Sequence, residues 1–258
     1  MAQRRILHDA YFKKAKEEGY LARSAYKLIE IDDRKRVFRE GDWVLDLGCA
    51  PGSWLQVAAP RVGEAGRVVG VDLQPVQAPM PPNVVTLVGD VFKVQAPALL
   101  EQAALLERAV LDGAGSPEPR TESGSSPDGP SASGASRRGF DIVLSDMAPN
   151  TSGHGDDLLS IRLCDRVVEL LPAVLRPGGV AVMKVLEGGE FPHLLKRVQA
   201  RFAEARPFKP DATRDVSKEI YVVAKGYRPP WSEPPATTMP QSSAARREPP
   251  RGWSAPKP

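Results

Sequence analysis

Short apolar runs that end at or near a charged residue recur along this chain, separated by stretches of helical periodicity. Trp43–Leu47 carries Asp46 into a glycine turn, Arg67–Val71 stops at Asp72, and Val84–Val88 stops at Gly89-Asp90. Phe140–Ser145 stops at Asp146, Gly179–Val185 holds Lys184, and Glu219–Ala224 forms a last strand. Between them, helical patterns cover Ser53–Pro60, residues 96–110, Asp157–Leu175 and Phe191–Phe202. Apolar runs without alternation suit strands covered on both faces. Strand–helix alternation then predicts an α/β fold: a mostly parallel sheet with helices on both faces. In such sheets ligands bind beyond the carboxyl ends of the strands. Asp46, Asp72, Asp90, Asp146 and Lys184 all fall at or near those ends, which makes them candidates for a site.

Ahead of the sheet, the first 36 residues read as two helices. His8 to Glu18 sets Tyr11, Phe12 and Ala15 on one side, and Ser24 caps a second helix in which Ala25, Leu28, Ile29 and Asp32 keep helical spacing. Residues 1–40 hold eleven Lys and Arg against seven Asp and Glu. A phosphate-contacting arm is one reading of that excess, and a solvated helical surface is the other. Residues 112–138 lack Val, Ile, Leu, Met, Cys and aromatics, and 16 of the 27 are Gly, Ser or Pro. Residues 226–258 hold nine prolines. Neither stretch can bury enough apolar surface to offset ordering entropy, so disorder is expected in both. The expected division is a basic helical extension (1–36), one folded domain (37–226, interrupted by 112–138) and a Pro-rich tail (227–258).

Cys49 and Cys164 are the only thiols and offer neither a disulfide framework nor a zinc spacing, so a cytoplasmic setting is expected. His8, His154 and His193 stand far apart and read as surface or structural residues, with no metal expected. No apolar run approaches the ~18–20 residues that span a bilayer, and Met-Ala-Gln-Arg-Arg is no secretory leader.

The turn Asp46-Leu47-Gly48-Cys49-Ala50-Pro51-Gly52-Ser53-Trp54 joins a strand to a helix. Glycines there let backbone approach a ligand, and the helix N–H groups face it. The Gly48-x-x-x-Gly52 spacing, with Pro51 inside, is a poor match to the G-x-G-x-x-G pyrophosphate cradle. It suits a smaller carboxylate-and-ammonium ligand, such as the methionine end of S-adenosylmethionine. Asp72 is placed to accept ribose hydroxyls and Asp90 an adenine amine. Each also has a plainer reading: Asp72 and Asp90 as turn caps, Asp46 as the residue that orders the loop, and Trp54 as packing.

Lys184 in Val182-Met183-Lys184-Val185 sits in an apolar strand, where an ammonium must be paired or neutralised. With Lys27, Asp146 and Glu219 it makes two lysines beside two carboxylates, a set suited to taking a proton from a weakly acidic hydroxyl. The plainer readings are a snorkelling strand-end lysine for Lys184, a surface residue for Lys27 and a strand-start charge for Glu219.

Taken together, Arg23–Leu28, Asp46–Trp54, Ser145–Asn150, Val182–Val185 and Ser217–Tyr221 resemble the FtsJ-type ribosomal RNA 2′-O-ribose methyltransferases, from about Arg23 to Gly226. The resemblance implies a Rossmann-like class I methyltransferase with a seven-stranded sheet and S-adenosylmethionine as donor. It also implies a Lys-Asp-Lys-Glu tetrad on Lys27, Asp146, Lys184 and Glu219, with Lys184 the proton acceptor. Its cofactor positions fall on Gly52, Trp54, Asp72, Asp90 and Asp146, beside the turn glycine Gly48. The substrate it implies is a uridine of 23S rRNA in the large ribosomal subunit, and the enzyme is expected to be a monomer. Ser53 stands where many members have Gly, and the insert and tail are additions to the compact core. A tRNA 2′-O-methyltransferase and a non-catalytic RNA-binding assembly factor are the alternatives; the glycine spacing disfavours a nicotinamide oxidoreductase.

Overall fold

A computed structural model describes residues 11–113, 139–149, 155–213 and 217–229. Residues 114–138, the tail beyond 229, His8 and His154 lie outside the described residues, and so do the expectations that fall on them.

The elements run α1 (residues 11–17), α2 (Ala25–Lys35), β1 (Trp43–Leu47), α3 (Ser53–Val62), β2 (Arg67–Asp72), β3 (Val84–Val88) and α4 (Ala96–Gly113). They continue as β4 (Phe140–Ser145), α5 (Asp156–Val174), β5 (Leu175–Leu186), α6 (Phe191–Gln199), β6 (Phe202–Phe208) and β7 (Glu219–Tyr227). The seven strands form one sheet in the order β3-β2-β1-β4-β5-β7-β6, with β7 antiparallel to both of its neighbours. Every residue of β1 and β4 is buried, as continuous apolar runs require of central strands.

Period-two alternation divides the strand side chains between two cores. Leu45, Leu47, Val143, Met183 and Val185 face α4, α5 and α6, against Leu99, Val167, Leu171 and Leu194. Val44, Ile142, Leu144 and Val182 face α2 and α3, against Leu28, Ile31, Leu55 and Val62. Lys184 shares the parity of Val182, so it lies on the α2/α3 face.

Two details depart from sequence expectation. Ser24 holds the N-cap position of α2 without a side-chain capping bond; its hydroxyl hydrogen-bonds that of Ser53, at 2.8 Å, and ties α2 to the start of α3. The stretch from Phe191 to Phe202 is not one helix. The helix stops at Gln199, and Phe202–Phe208 is the edge strand β6. Its sequence, with Glu204, Arg206 and Pro207, buries only Phe202 and Ala205, and a proline is tolerated there because an edge strand leaves part of its backbone unpaired. No apolar run announces such a strand.

Asp32 has a larger role than helical spacing assigns it. Its Oδ1 accepts the N–H groups of Val37 (2.8 Å) and Phe38 (3.1 Å), and its Oδ2 pairs with Arg61 of α3. One buried carboxylate thus turns the chain out of α2 and fastens that helix to α3.

Candidate active site

The strand order reverses between β1 and β4, so the chain leaves their carboxyl ends in opposite directions and a crevice opens between. A cavity of about 680 Å³ lies there, lined by Gly48 and Ala50 after β1, Asp72 of β2, Asp90 after β3, and Asp146 and Met147 after β4. Gly48 has φ +83°, and a Cβ on it would stand 2.4 Å from Met147 Cγ, so glycine is required where the two strand ends meet.

The aspartates are set by local bonds. Asp72 Oδ2 accepts the Ala50 N–H at 3.0 Å and its Oδ1 the Gln74 N–H at 2.8 Å. Asp90 Oδ1 accepts the Phe92 N–H at 2.9 Å. Both therefore order their turns while facing the cavity, and each carboxylate keeps acceptor capacity for a ligand. Asp72, not Asp46, holds the glycine loop. Both Asp46 oxygens are fully buried without a hydrogen-bond partner among the described residues. Burial, and then the charges of Asp146 and Asp72, push its carboxyl well above the ordinary range.

Gly52 and Trp54 do not line this cavity. Gly52 precedes α3 at φ +112°, and a Cβ there would crowd Met80 and Val76. Trp54 is buried, donates Nε1–H to the Ser24 carbonyl at 3.0 Å and packs its ring 5.8 Å from that of Tyr221.

The four charged residues of the tetrad meet in two pairs. Lys184 Nζ is 3.1 Å from Asp146 Oδ1 and donates to the Asp146 carbonyl at 2.5 Å. Lys27 Nζ donates to Glu219 Oε2 at 2.7 Å. Both lysines are buried, at 4% and 6% exposure, so neither plainer reading of them, surface or snorkelling, applies. Burial acts to raise the Glu219 carboxyl, but the Lys27 charge and hydrogen bond, helped by Lys184, hold it below its ordinary value.

Tyr221 joins the pairs and went unassigned in the sequence. Its hydroxyl donates to Asp146 Oδ1 at 2.7 Å, and its ring centroid lies 5.9 Å from Lys27 Nζ. Burial, followed by the Asp146 charge and hydrogen bond, pushes its phenol well above the ordinary value. Tyr221 stands opposite Lys184 in the β5–β7 register. It also follows Glu219 by two residues and so shares its face, a period-two signal that was available in the sequence. Asp146 belongs to the network and also lines the cavity, which places the lysine pairs at the cavity's edge.

The model of the FtsJ-like methyltransferase family matches residues 20–227. A ribosomal RNA large subunit methyltransferase E from Syntrophobacter fumaroxidans is 43% identical over 224 residues, covering 86% of this chain and 97% of that protein. A protein of the same name from Desulforapulum autotrophicum is 39% identical over 220 residues, covering 84% of this chain and 92% of that one. Among solved structures, one described as a ribosomal RNA methyltransferase from Plasmodium falciparum matches with a TM-score of 0.61 and 25% identity, covering 82% of this chain and 100% of that one.

Proposed function

The chain belongs to the FtsJ-like methyltransferase family, and from that premise we propose that it methylates a ribose 2′-hydroxyl, that of a uridine in 23S rRNA of the large ribosomal subunit, with S-adenosylmethionine as donor. The observation that carries this reading is the pair of buried lysine–carboxylate contacts, joined by Tyr221, at the edge of the switch-point cavity. Mere RNA binding has no use for two ammonium groups buried against carboxylates.

The residues present fit the donor. Gly48 brings bare backbone to the cavity, Asp72 and Asp90 turn carboxylates toward it, and Asp46 holds two unpartnered oxygens behind the glycine loop. Gly48, Asp72, Asp90 and Asp146 would hold the ligand directly, with Gly52 and Trp54 supporting the loop and helix behind them. When bound, the sulfonium supplies an activated methyl group and its own leaving group.

The protein's tasks are alignment and proton removal. Lys184 Nζ takes the proton of the 2′-hydroxyl, and the carboxylate and carbonyl of Asp146 fix that nitrogen in place. Tyr221 fixes the Asp146 carboxylate in turn. Lys27, held by Glu219, orients the nucleotide. The network is complete within one chain, which supports action as a monomer. A ribosomal substrate places the enzyme in the cytoplasm, and no helix among the described residues is long and apolar enough to cross a membrane.

The test is methyl transfer from radiolabelled S-adenosylmethionine to large subunits, 23S rRNA and bulk tRNA, followed by mapping of the modified ribose. Label on the rRNA or subunits, at a 2′-oxygen, is the expected result. Label on tRNA alone would overturn the substrate and keep the chemistry. No label on any RNA would leave a non-catalytic binding role.

A further inference from the structure

Phe12 is the most exposed aromatic side chain among the described residues, at 62%. It projects from a helix that is firmly seated. On the inner side of α1, Ala15 is buried and Tyr11 packs on Tyr26, with centroids 5.5 Å apart. Lys14 Nζ lies 4.8 Å from the Tyr26 ring centroid, and the Tyr26 hydroxyl donates to Glu18 Oε2 at 2.9 Å. Tyr20 closes the cluster, its ring 5.6 Å from that of Tyr26. The outer side carries Phe12, Lys13 and Lys16, all exposed. Phe12 and Lys16 are four residues apart and so neighbours on one helical face.

We infer that Phe12 is a stacking platform for an unpaired RNA base near the target nucleotide, with Lys16 and Lys13, beside it on the helix, meeting the neighbouring phosphates. The inference rests on the RNA substrate proposed above and extends it to a surface outside the catalytic network. Tyr26, on which α1 is seated, directly precedes Lys27. α1 therefore packs directly on the helix that carries Lys27, with Phe12 on its outward side. RNA reaches such an enzyme with its target ribose in an unpaired segment, whose splayed bases stack on aromatic faces. An aromatic ring with Lys13 next to it and Lys16 on the next turn of the same helix offers the two contacts such a segment needs, a flat apolar face and cationic partners for the backbone.

The test compares wild type with Phe12→Ala, Phe12→Leu and Phe12→Trp, reading equilibrium binding to naked 23S rRNA and to large subunits, together with KM and kcat for methyl transfer. Phe12→Ala and Phe12→Leu should weaken binding to naked rRNA and raise the RNA KM by about 5- to 100-fold, with kcat retained. Phe12→Trp should bind as well as wild type. Wild-type binding by Phe12→Ala overturns the inference. Full rescue by Phe12→Leu does so too, because it would leave an apolar contact without stacking. A defect on subunits with none on naked rRNA overturns it in favour of a ribosomal protein partner. A wild type that binds RNA but transfers no methyl group sinks the proposed activity instead, and the binding arm still decides the role of Phe12.

Discussion

The two sides of the strand-order reversal are built differently. On the β1-β2-β3 side, each cavity-facing carboxylate is fixed by turn backbone: Asp72 by Gln74 two residues on and by Ala50 of the neighbouring turn after β1, Asp90 by Phe92. On the β4-β5-β7 side, the functional groups fix one another across long stretches of chain. Lys27 and Glu219 are 192 residues apart, Asp146 and Tyr221 75, and Lys184 and Asp146 38. Among the described residues, the first side leaves Asp46 with no hydrogen-bond partner, whereas the second pairs both of its buried lysines. On the proposed function, a pre-shaped receptacle and a self-neutralised reaction centre share one crevice. Changes on one side should alter donor binding, and changes on the other turnover.

Lys184→Ala should separate the sides most sharply: kcat falls by about 10²–10⁴-fold while donor affinity, read by calorimetry, is unchanged. A parallel loss of donor affinity would merge them. Tyr221→Phe removes one bond to the Asp146 carboxylate and should lower kcat by about tenfold at constant donor affinity. Asp72→Asn should do the reverse, weakening donor binding by about fivefold with kcat at saturation nearly kept; lost turnover at saturating donor would contradict it.

Two smaller effects appear in stability against pH. Glu219 is held below its ordinary value, so its contribution is present above the unfolded carboxyl range near ~4.3 and is lost only as pH falls through the lower folded value. Thermal melts of wild type and Glu219→Gln should therefore differ at neutral pH and converge only in acid. Asp46 has the opposite sign. Its carboxyl is raised, so stability is lost as pH climbs from the unfolded value, about 3.9, toward the folded one. Without donor, Asp46→Asn should raise the neutral-pH Tm by on the order of 2–4 °C, and a lower Tm would mean that Asp46 has a partner in solution.

The sheet's central strands were legible because full burial leaves continuous apolar runs, as in Trp43–Leu47 and Phe140–Ser145. β6 was not legible, since an edge strand with two buried residues and a proline carries no such run. The tetrad was readable as residue types out of place in apolar surroundings. How its members pair was not, because pairing across 192 residues is decided by the reversed strand β7 and by no local pattern. Tyr221 went unassigned, although its period-two spacing from Glu219 put it on the same face. The loop-ordering role given to Asp46 belongs to Asp72. Both are aspartates near strand ends, and only the path of the turn determines which one meets the Ala50 N–H.

The reversal of β7 has a consequence for assembly. Because that strand runs against its neighbours, its first residue, Glu219, reaches the catalytic edge, and Lys27 waits for it from the far end of the domain. Closing so long a loop is entropically costly and comes only with the rest of the fold in place. Turnover is therefore a certificate of completed folding. A fragment ending before Glu219 could retain the donor cavity and yet be catalytically silent, so partly made copies would not modify the particles they meet.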